Sequence, residues 1–163
     1  MELALHRQPD ERLYACRPVE RRDASALSIL LYAAFRGSVD DEGETPSDAR
    51  TEIDRLFSGA FGRFLPNCSF LIEEEEQICS ACLVTWFEHH DAPLVAFSMT
   101  RPEFRRRGMA RFLLRHAINA LIRRGEKRLT LVVTRANAEA LSLYRSVGFD
   151  EWSSGETSAE AGD

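Results

Sequence analysis

The 163-residue chain has few cysteines and no long apolar run, and these two absences exclude whole classes of protein. Its four cysteines are far fewer than small disulfide-stapled scaffolds carry, so we expect reduced thiols. No segment approaches the roughly 20 apolar residues that a membrane span needs. The first residues lack the apolar stretch of a secretory signal, which makes the cytoplasm the expected location.

Positive charge is not in excess either, since the net charge is −5, and this argues against a general nucleic-acid binder. The charges are nevertheless segregated along the chain. Residues 38–54 carry seven acids and one base, whereas residues 101–128 carry ten bases and two acids. The acidic loop at Asp40–Asp48 has two interpretations, which are simple solubility and the attraction of a cationic amine.

Hydrophobic spacing and turn residues predict four helices and five strands. The helices are Ala24–Phe35, a segment from Pro46 to Gly59, one from Met109 to Gly125, and one from Asn137 to Gly148. The strands are Leu13–Arg17, Cys68–Glu73, Gln77–Phe87, Leu94–Thr100 and Arg128–Thr134, of which the middle three are expected to be antiparallel neighbours. This order predicts an α/β fold with a mixed sheet and helices on its faces. We expect one domain over residues 1–152 and a disordered acidic tail over 153–163.

Arg105–Ala110 joins the predicted strand Leu94–Thr100 to a helix with a clear apolar face. A helix N-terminus offers unpaired N–H donors and a positive dipole end, and glycine lets a ligand approach the backbone. Three successive arginines at such a position are costly unless an anion or solvent compensates them. The turn is therefore a candidate anion cradle, with an ordinary strand-to-helix turn as the alternative. It lacks the Lys-Ser/Thr of a P-loop and the three glycines of a dinucleotide fold, which disfavours ATP and NAD.

Two motifs resemble those of the GCN5-related N-acetyltransferases. In the segment MTRPEFRRRGMA at 99–110, the family's acetyl-CoA-binding pattern of Arg or Gln, two residues, Gly, one residue, then Gly or Ala falls on Arg105, Gly108 and Ala110. The segment NAEALSLYRSVGF at 137–149 is similar to the family's N-x-x-A-x-x-L-Y-x-x-x-G-F signature. The resemblance spans Leu13 to Phe149.

The resemblance implies an acyl-CoA N-acyltransferase fold, with a mostly antiparallel sheet that splays between two parallel strands, here 94–100 and 128–134. The chain departs from the family after Phe149, where one or two further strands usually follow and only DEWSS precedes the polar tail. The sheet is therefore expected to be shortened at its C-terminus. A partner subunit in a homodimer could supply the missing wall, or a strand edge could be left for pairing.

The resemblance also implies acetyl-CoA as the cosubstrate, with no metal. Amides of the turn at 105–110 would hold the pyrophosphate, while main chain at Met99 and Thr100 would pair with the pantetheine arm as an added strand does. Arginine side chains would supply charge to the phosphates, and Asn137 would both cap a helix and contact the arm. The cofactor-binding residues predicted in this way are Met99, Thr100, Arg105, Arg106, Arg107, Gly108, Met109, Ala110, Arg111, Asn137 and Tyr144.

Tyr144 is the predicted general acid. Its spacing alone is that of a core tyrosine, but with the motif we assign its phenol to protonate the leaving CoA thiolate. The sequence leaves the identity of the general base open. Glu88 or His89, at the end of a predicted strand where a cleft could open, is one possibility, although the same residues fit a polar hairpin turn. Ser98 could instead hold a water that relays the proton.

These features predict an acetyl-CoA-dependent N-acetyltransferase that acts on a primary amine of a small molecule, a peptide or a protein. The amine would attack directly in a ternary complex, without an acyl-enzyme. A non-catalytic acetyl-CoA-binding sensor is the alternative, and O-acyl or longer-acyl transfer is a third possibility.

Cys79-x-x-Cys82 has the spacing of a redox or zinc site. Alternation along a strand is expected to place the two thiols on opposite faces, and no second Cys or His pair lies nearby in the sequence. We therefore expect buried packing.

Overall fold

The computed structural model describes residues 1–9 and 13–151. Seven strands and four α-helices lie in these ranges. The strands are β1 (Glu2–Ala4), β2 (Arg17–Pro18), β3 (Arg63–Phe64), β4 (Phe70–Glu74), β5 (Gln77–Phe87), β6 (Ala92–Thr100) and β7 (Arg128–Leu131). The helices are α1 (Ala24–Phe35), α2 (Pro46–Ser58), α3 (Met109–Arg123) and α4 (Ala138–Val147). The predicted tail at 153–163 lies outside the described residues, so its disorder stays a prediction.

The strands form one mixed sheet in the order β1-β7-β6-β5-β4-β2, with β3 added beside β5. All its pairs are antiparallel except β6 with β7, which are parallel. The predicted antiparallel succession of β4, β5 and β6 is thus confirmed. The parallel pair comes from the crossover through α3, as the βαβ connection requires.

The parallel strands β6 and β7 pair over a short stretch and then separate. Their register contains only Leu94 with Thr130 and Val95 with Leu131. Immediately afterwards β6 has a bulge, because Phe97 lies opposite Leu83 and Val95 lies opposite Val84, which leaves Ala96 as the extra residue. A bulge bends its strand and increases the local twist. The β7-facing edge of β6 from Ala96 to Thr100 therefore has no partner in β7.

Two expected strands are shorter than the sequence suggested. β7 ends at Leu131 and not at Thr134, because β6 has already turned away and offers no ladder beyond that point. The predicted strand Leu13–Arg17 is wrong for most of its length, since only Arg17 pairs with the sheet. Tyr14 instead packs edge-to-face on Phe112 of α3, with ring centroids 5.6 Å apart.

The N-terminal segment covers the sheet edge beside β7. β1 runs antiparallel to β7, with Leu3 opposite Leu129, and Glu2 also exchanges two backbone hydrogen bonds of 2.9 and 3.0 Å with Asp150. Leu3 is buried beneath this arrangement. β1 therefore forms the edge of the sheet beside β7, and the expected shortening after Phe149 stays a prediction.

The sheet separates two apolar cores. α1 and α2 pack on one face, with Leu27, Leu30, Ile53 and Leu56 at the centre of that core. α3 and α4 pack on the other face, where a second cluster forms around Leu113. Helices on both faces are thus confirmed. None of the helices within the described residues is both long enough and apolar enough to cross a bilayer.

Cys79 and Cys82 lie on the same side of the sheet, in the cluster packed against α3. The expectation of opposite faces is wrong, because the register between β4 and β5 shifts at Cys79 and breaks the alternation. Both thiols are buried and neither forms a disulfide, which agrees with the packing interpretation. Within the described residues, no group of three or more His, Cys, Asp or Glu side chains is placed to hold a metal.

Candidate active site

The turn before α3 presents a run of backbone amides. Arg106 and Gly108 both adopt the left-handed conformation, with φ of 63° and 76°. The first α-helical hydrogen bond at this end joins Phe112 N to Gly108 O at 3.0 Å, so the amides of Met109, Ala110 and Arg111 precede it and have no acceptor within the helix. Alternating left-handed residues ahead of a helix produce the concave amide nest that binds anions. The predicted cradle thus has suitable backbone geometry.

The four arginines around this cradle have different surroundings. The Arg105 guanidinium donates to the Ala34 carbonyl at 2.6 Å, at the C-terminal end of α1. Arg107 lies over the Phe104 ring at 4.9 Å, and Arg111 donates to Ser146 Oγ at 3.0 Å. Arg106 is exposed beside the amides. Arg105 therefore joins α1 to the turn, and Arg106 has the clearest access to an anion.

The open edge of β6 leads from the cradle into the sheet. Met99 and Thr100 are held from the β5 side, where Ser80 Oγ contacts the Met99 carbonyl at 3.0 Å and Thr100 Oγ1 at 2.8 Å. The N–H and C=O of successive strand residues alternate between the two edges, and those of Met99 and Arg101 face β5, so the backbone of Thr100 faces the gap left by β7. An extended chain with amide groups can pair with such an edge in the manner of β-augmentation. The gap is therefore suited to a pantetheine arm.

Tyr144 lies at the inner end of this gap. Its ring is buried and packs edge-to-face on Phe149 at 5.7 Å. Burial raises the pKa of Tyr144 to about 12, with a further contribution from Cys82, while a hydrogen bond with the Ser98 side chain acts in the opposite direction. Ser98 and Cys82 are cross-strand partners on β6 and β5. The phenol thus stays protonated at neutral pH and is aligned by Ser98 beside the splayed strands.

Asn137 is the N-cap of α4, and its Oδ1 accepts from Ala140 N at 3.1 Å. Its Nδ2 donates to Asp40 at 3.2 Å, and Thr134 Oγ1 donates to the same carboxylate at 2.8 Å. The sequence predicted the cap but not the contact with Asp40. That contact joins the loop between α1 and α2 to the segment between β7 and α4, and no local pattern indicates it.

A cavity of about 330 Å³ lies between the loop 37–45, the two N-terminal helices and β6. Its aromatic wall consists of Tyr32, Phe35 and Phe97, and Arg36 is its one basic lining residue. The remaining charged lining residues are Asp40, Asp41, Glu44, Asp48 and Glu52. Carboxylates beside aromatic faces suit a cation, through ion pairing and cation–π contact.

Glu88 and His89 are exposed in a helical turn between β5 and β6. They adjoin the pair Phe87 and Ala92, whereas the Tyr144 phenol lies at the pair Cys82 and Ser98, five to six strand residues away. At about 3.3 Å per residue this separation is roughly 16–20 Å. The structure therefore does not bring either residue to Tyr144, and the assignment of Glu88 or His89 as base stays a prediction. The neighbouring His90 Nδ1 lies 2.8 Å from Thr130 Oγ1.

A wider depression of about 600 Å³ lies beside β3, where Phe57 and Phe64 form part of its lining. None of its lining residues belongs to the cradle, to the gap beside β6 or to the acidic cavity. The arrangement of candidate chemical groups therefore favours the smaller acidic cavity as the acceptor site.

An amide cradle, an open strand edge and a buried phenol are the groups that a site for an acyl-CoA thioester would need. Residues 30–149 match the Acetyltransferase (GNAT) family. This match covers well over half of the chain. The chain belongs to this family.

The relatives are bacterial acetyltransferases. A 50-residue stretch is 50% identical to the [Ribosomal protein bS18]-alanine N-acetyltransferase of Salmonella typhimurium, and the match spans 31% of this chain and only 34% of that enzyme. The corresponding enzyme of Escherichia coli strain K12 is 46% identical over 50 residues, with the same coverage.

Solved structures share the fold at low sequence identity. The ribosomal-protein-S18-alanine N-acetyltransferase from Escherichia coli superposes with a TM-score of 0.65 at 22% identity, over 85% of this chain and 79% of that one. The PaiA N-acetyltransferase from Thermoplasma acidophilum in complex with coenzyme A gives 0.66 at 16% identity, over 86% of this chain and 92% of that one. The acyl-CoA N-acyltransferase fold expected from the two motifs is thus confirmed.

Proposed function

We propose that this protein is an acetyl-CoA-dependent N-acetyltransferase for a primary amine that carries or adjoins positive charge. The observation that carries the proposal is the open edge of β6, which has the amide cradle before α3 at one end and the Tyr144 phenol near the other. Family membership and the N-acetyltransferase relatives support the same activity. The cytoplasm, which is the location expected from the sequence, stays the proposed place of this reaction.

The donor is held by groups that suit each part of acetyl-CoA. Amides of Met109, Ala110 and Arg111 bind the pyrophosphate, and Arg106 adds charge. The pantetheine amides pair with the open edge of β6 at Thr100, while Met99 is held by β5. This path directs the thioester toward Ser98 and Tyr144.

Tyr144 acts as the general acid. The amine attacks the thioester carbonyl, a C–N bond forms, the C–S bond breaks, and the departing thiolate takes the phenolic proton. The raised pKa of about 12 keeps the phenol protonated as the reaction begins. Ser98 keeps it oriented.

The acidic cavity receives the acceptor. Its carboxylates concentrate cations, and its aromatic wall adds cation–π attraction. Phe97 of the cavity wall and Ser98 are successive residues of β6 and point to opposite faces of the sheet, so an amine bound in the cavity would reach the thioester through the gap where β6 and β7 separate. No acyl-enzyme is needed. This supports a ternary complex. β1 covers the sheet edge beside β7 within one chain, and the homodimer stays a prediction.

The test is release of free CoA thiol from acetyl-CoA across a panel of mono-, di- and polyamines and of peptides with free N-termini. We expect cationic acceptors to give the highest kcat/KM. Propionyl-CoA and alcohol acceptors in the same assay distinguish longer-acyl and O-acyl transfer. Mass spectrometry after mixing with acetyl-CoA alone should find no acetylated cysteine, and an acetyl-cysteine adduct would contradict direct attack.

The sensor alternative makes a different prediction. Thermal stabilisation by acetyl-CoA, with no thiol release for any amine in the panel, would favour a non-catalytic binding module.

A further inference from the structure

Asp40 lies where the acidic cavity meets the cofactor gap. It belongs to the loop between α1 and α2 and lines the acidic cavity together with Phe97. Its two carboxylate oxygens accept hydrogen bonds from Thr134 at 2.8 Å and Asn137 at 3.2 Å, which follow β7. Asp40 therefore contacts both sides of the boundary between acceptor and donor.

The other carboxylates that line this cavity are held by neighbours in their own loop or helix. Asp41 accepts from the amides of Gly37 and Gly43, and Asp48 accepts from the amide of Thr45. Glu44 accepts from the Glu42 amide, and Glu52 pairs with Arg55. Among the described hydrogen bonds of these carboxylates, those of Asp40 alone reach the segment between β7 and α4.

Tyr144 approaches the same space from the opposite side. It lies seven residues after Asn137, which is about 10 Å along the axis of a helix. Side chains in a helix lean toward its N-terminus, so the long phenol of Tyr144 is directed back toward the turn that holds Asp40. Ser98, which bonds this phenol, follows Phe97 of the cavity wall. Phe97 and Ser98 point to opposite faces of β6, so the cavity and the phenol lie on opposite sides of the sheet. Asp40, bonded to Thr134 and Asn137, lies at the end of β7 where the two strands have separated and the two sides can communicate.

We propose that Asp40 is the general base of the acetyl transfer, an assignment that rests on the proposed function. The neutral amine attacks the carbonyl carbon, and its nitrogen becomes positively charged and far more acidic than a free ammonium. Its proton passes to the Asp40 carboxylate while the C–S bond breaks and the thiolate takes the proton of Tyr144. Thr134 and Asn137 orient the carboxylate, because an ionised carboxylate only accepts hydrogen bonds.

Asp40→Asn keeps the side chain's shape and removes its basicity. Glu42→Gln is the matched control, because it removes one negative charge from the same loop and Glu42 does not line the cavity. In the thiol-release assay we expect Asp40→Asn to lower kcat by roughly 100-fold, within the usual range for a positioned base. KM for acetyl-CoA and the melting temperature should stay at wild-type values, and the Glu42→Gln kcat should stay close to wild type.

Rescue by a second carboxylate separates a base from a loop anchor. Asp40→Glu should recover part of the lost rate. An Asp40→Asn enzyme as active as Glu42→Gln, or one that loses rate only together with melting temperature, would overturn the assignment. If the wild-type protein released no CoA thiol with any amine, that result would contradict the proposed function and, with it, the assignment of Asp40 as base.

Discussion

The Ser98 side chain hydrogen-bonds the phenol of Tyr144 and joins the splayed strand β6 to helix α4. Cys82 stands opposite Ser98 on β5, so the phenol lies against a serine and a buried thiol. This environment keeps the phenol neutral and orients it toward the gap. A tyrosine placed in this way is suited to donate a proton.

Tyr144→Phe tests the role as general acid. The ring and its packing on Phe149 remain, so the fold and acetyl-CoA binding should be preserved. We expect kcat for thiol release to fall by about 100-fold or more, the usual contribution of a positioned acid. Tyr32→Phe is the control, since it removes a hydroxyl from the wall of the acidic cavity. Equal rates for Tyr144→Phe and wild type would disprove the acid role.

Gly108→Ala tests the cradle. The added Cβ meets no atom within 4 Å, so the cost comes from the left-handed φ of 76°. Gly125→Ala is a matched control at the other end of α3, with φ of 92° and equally open space. Each variant should lose about 1–2 kcal/mol of unfolding free energy in urea titrations. Only Gly108→Ala should also weaken acetyl-CoA binding in calorimetry, and equal weakening in both would contradict a cradle at Gly108.

Arg105→Ala and Arg106→Ala should change different properties. The first should lower the free energy of unfolding, and the second should weaken the binding of acetyl-CoA. Arg105 bonds the Ala34 carbonyl, so its loss should lower the free energy of unfolding by about 1–3 kcal/mol. Arg106→Ala should leave stability unchanged and weaken acetyl-CoA binding roughly tenfold at low salt, with less effect at high salt. Urea unfolding and calorimetry at two ionic strengths measure both effects. A purely structural contribution from Arg106 would contradict its predicted contact with phosphate.

Asp23 predicts how stability depends on pH. Burial acts to raise the pKa of Asp23, but hydrogen bonds from Arg17 and from the Glu20 amide outweigh it and hold the pKa below the ordinary value. A carboxyl with a lowered folded pKa contributes stability that is fully present above its unfolded pKa of about 3.9 and is lost as pH falls through the folded value.

Asp23→Asn should therefore lower the free energy of unfolding by roughly 1–3 kcal/mol at pH 7, with the difference from wild type shrinking below about pH 4. Urea titrations at several pH values measure this. Asp54→Asn, which breaks the exposed pair with Arg50, is the control and should change little. A constant difference down to pH 2 would contradict the linkage.

Local signals predicted the helices well. α1 and α2 have the expected bounds, and Asn137 caps α4 as its position indicated. Capping, glycine stops and apolar spacing act within a few residues, so they can be recognised in a single sequence. Strand ends were predicted less well, because a strand ends where its partner leaves. β7 stops at Leu131 since the bulge at Ala96 turns β6 away, and the shift at Cys79 reverses the expected facing of a thiol.

The sequence by itself determined the donor side of this protein. Arg105 to Ala110 and Asn137 to Phe149 are contiguous motifs, and a helix N-terminus with a left-handed glycine generates its own amide cradle. The tertiary structure alone decided which arginine anchors α1, that β1 covers the edge beside β7, and that Asp40 meets Thr134 and Asn137. These contacts join segments that are remote in the chain, and only packing of the two helical layers on one sheet sets their distances.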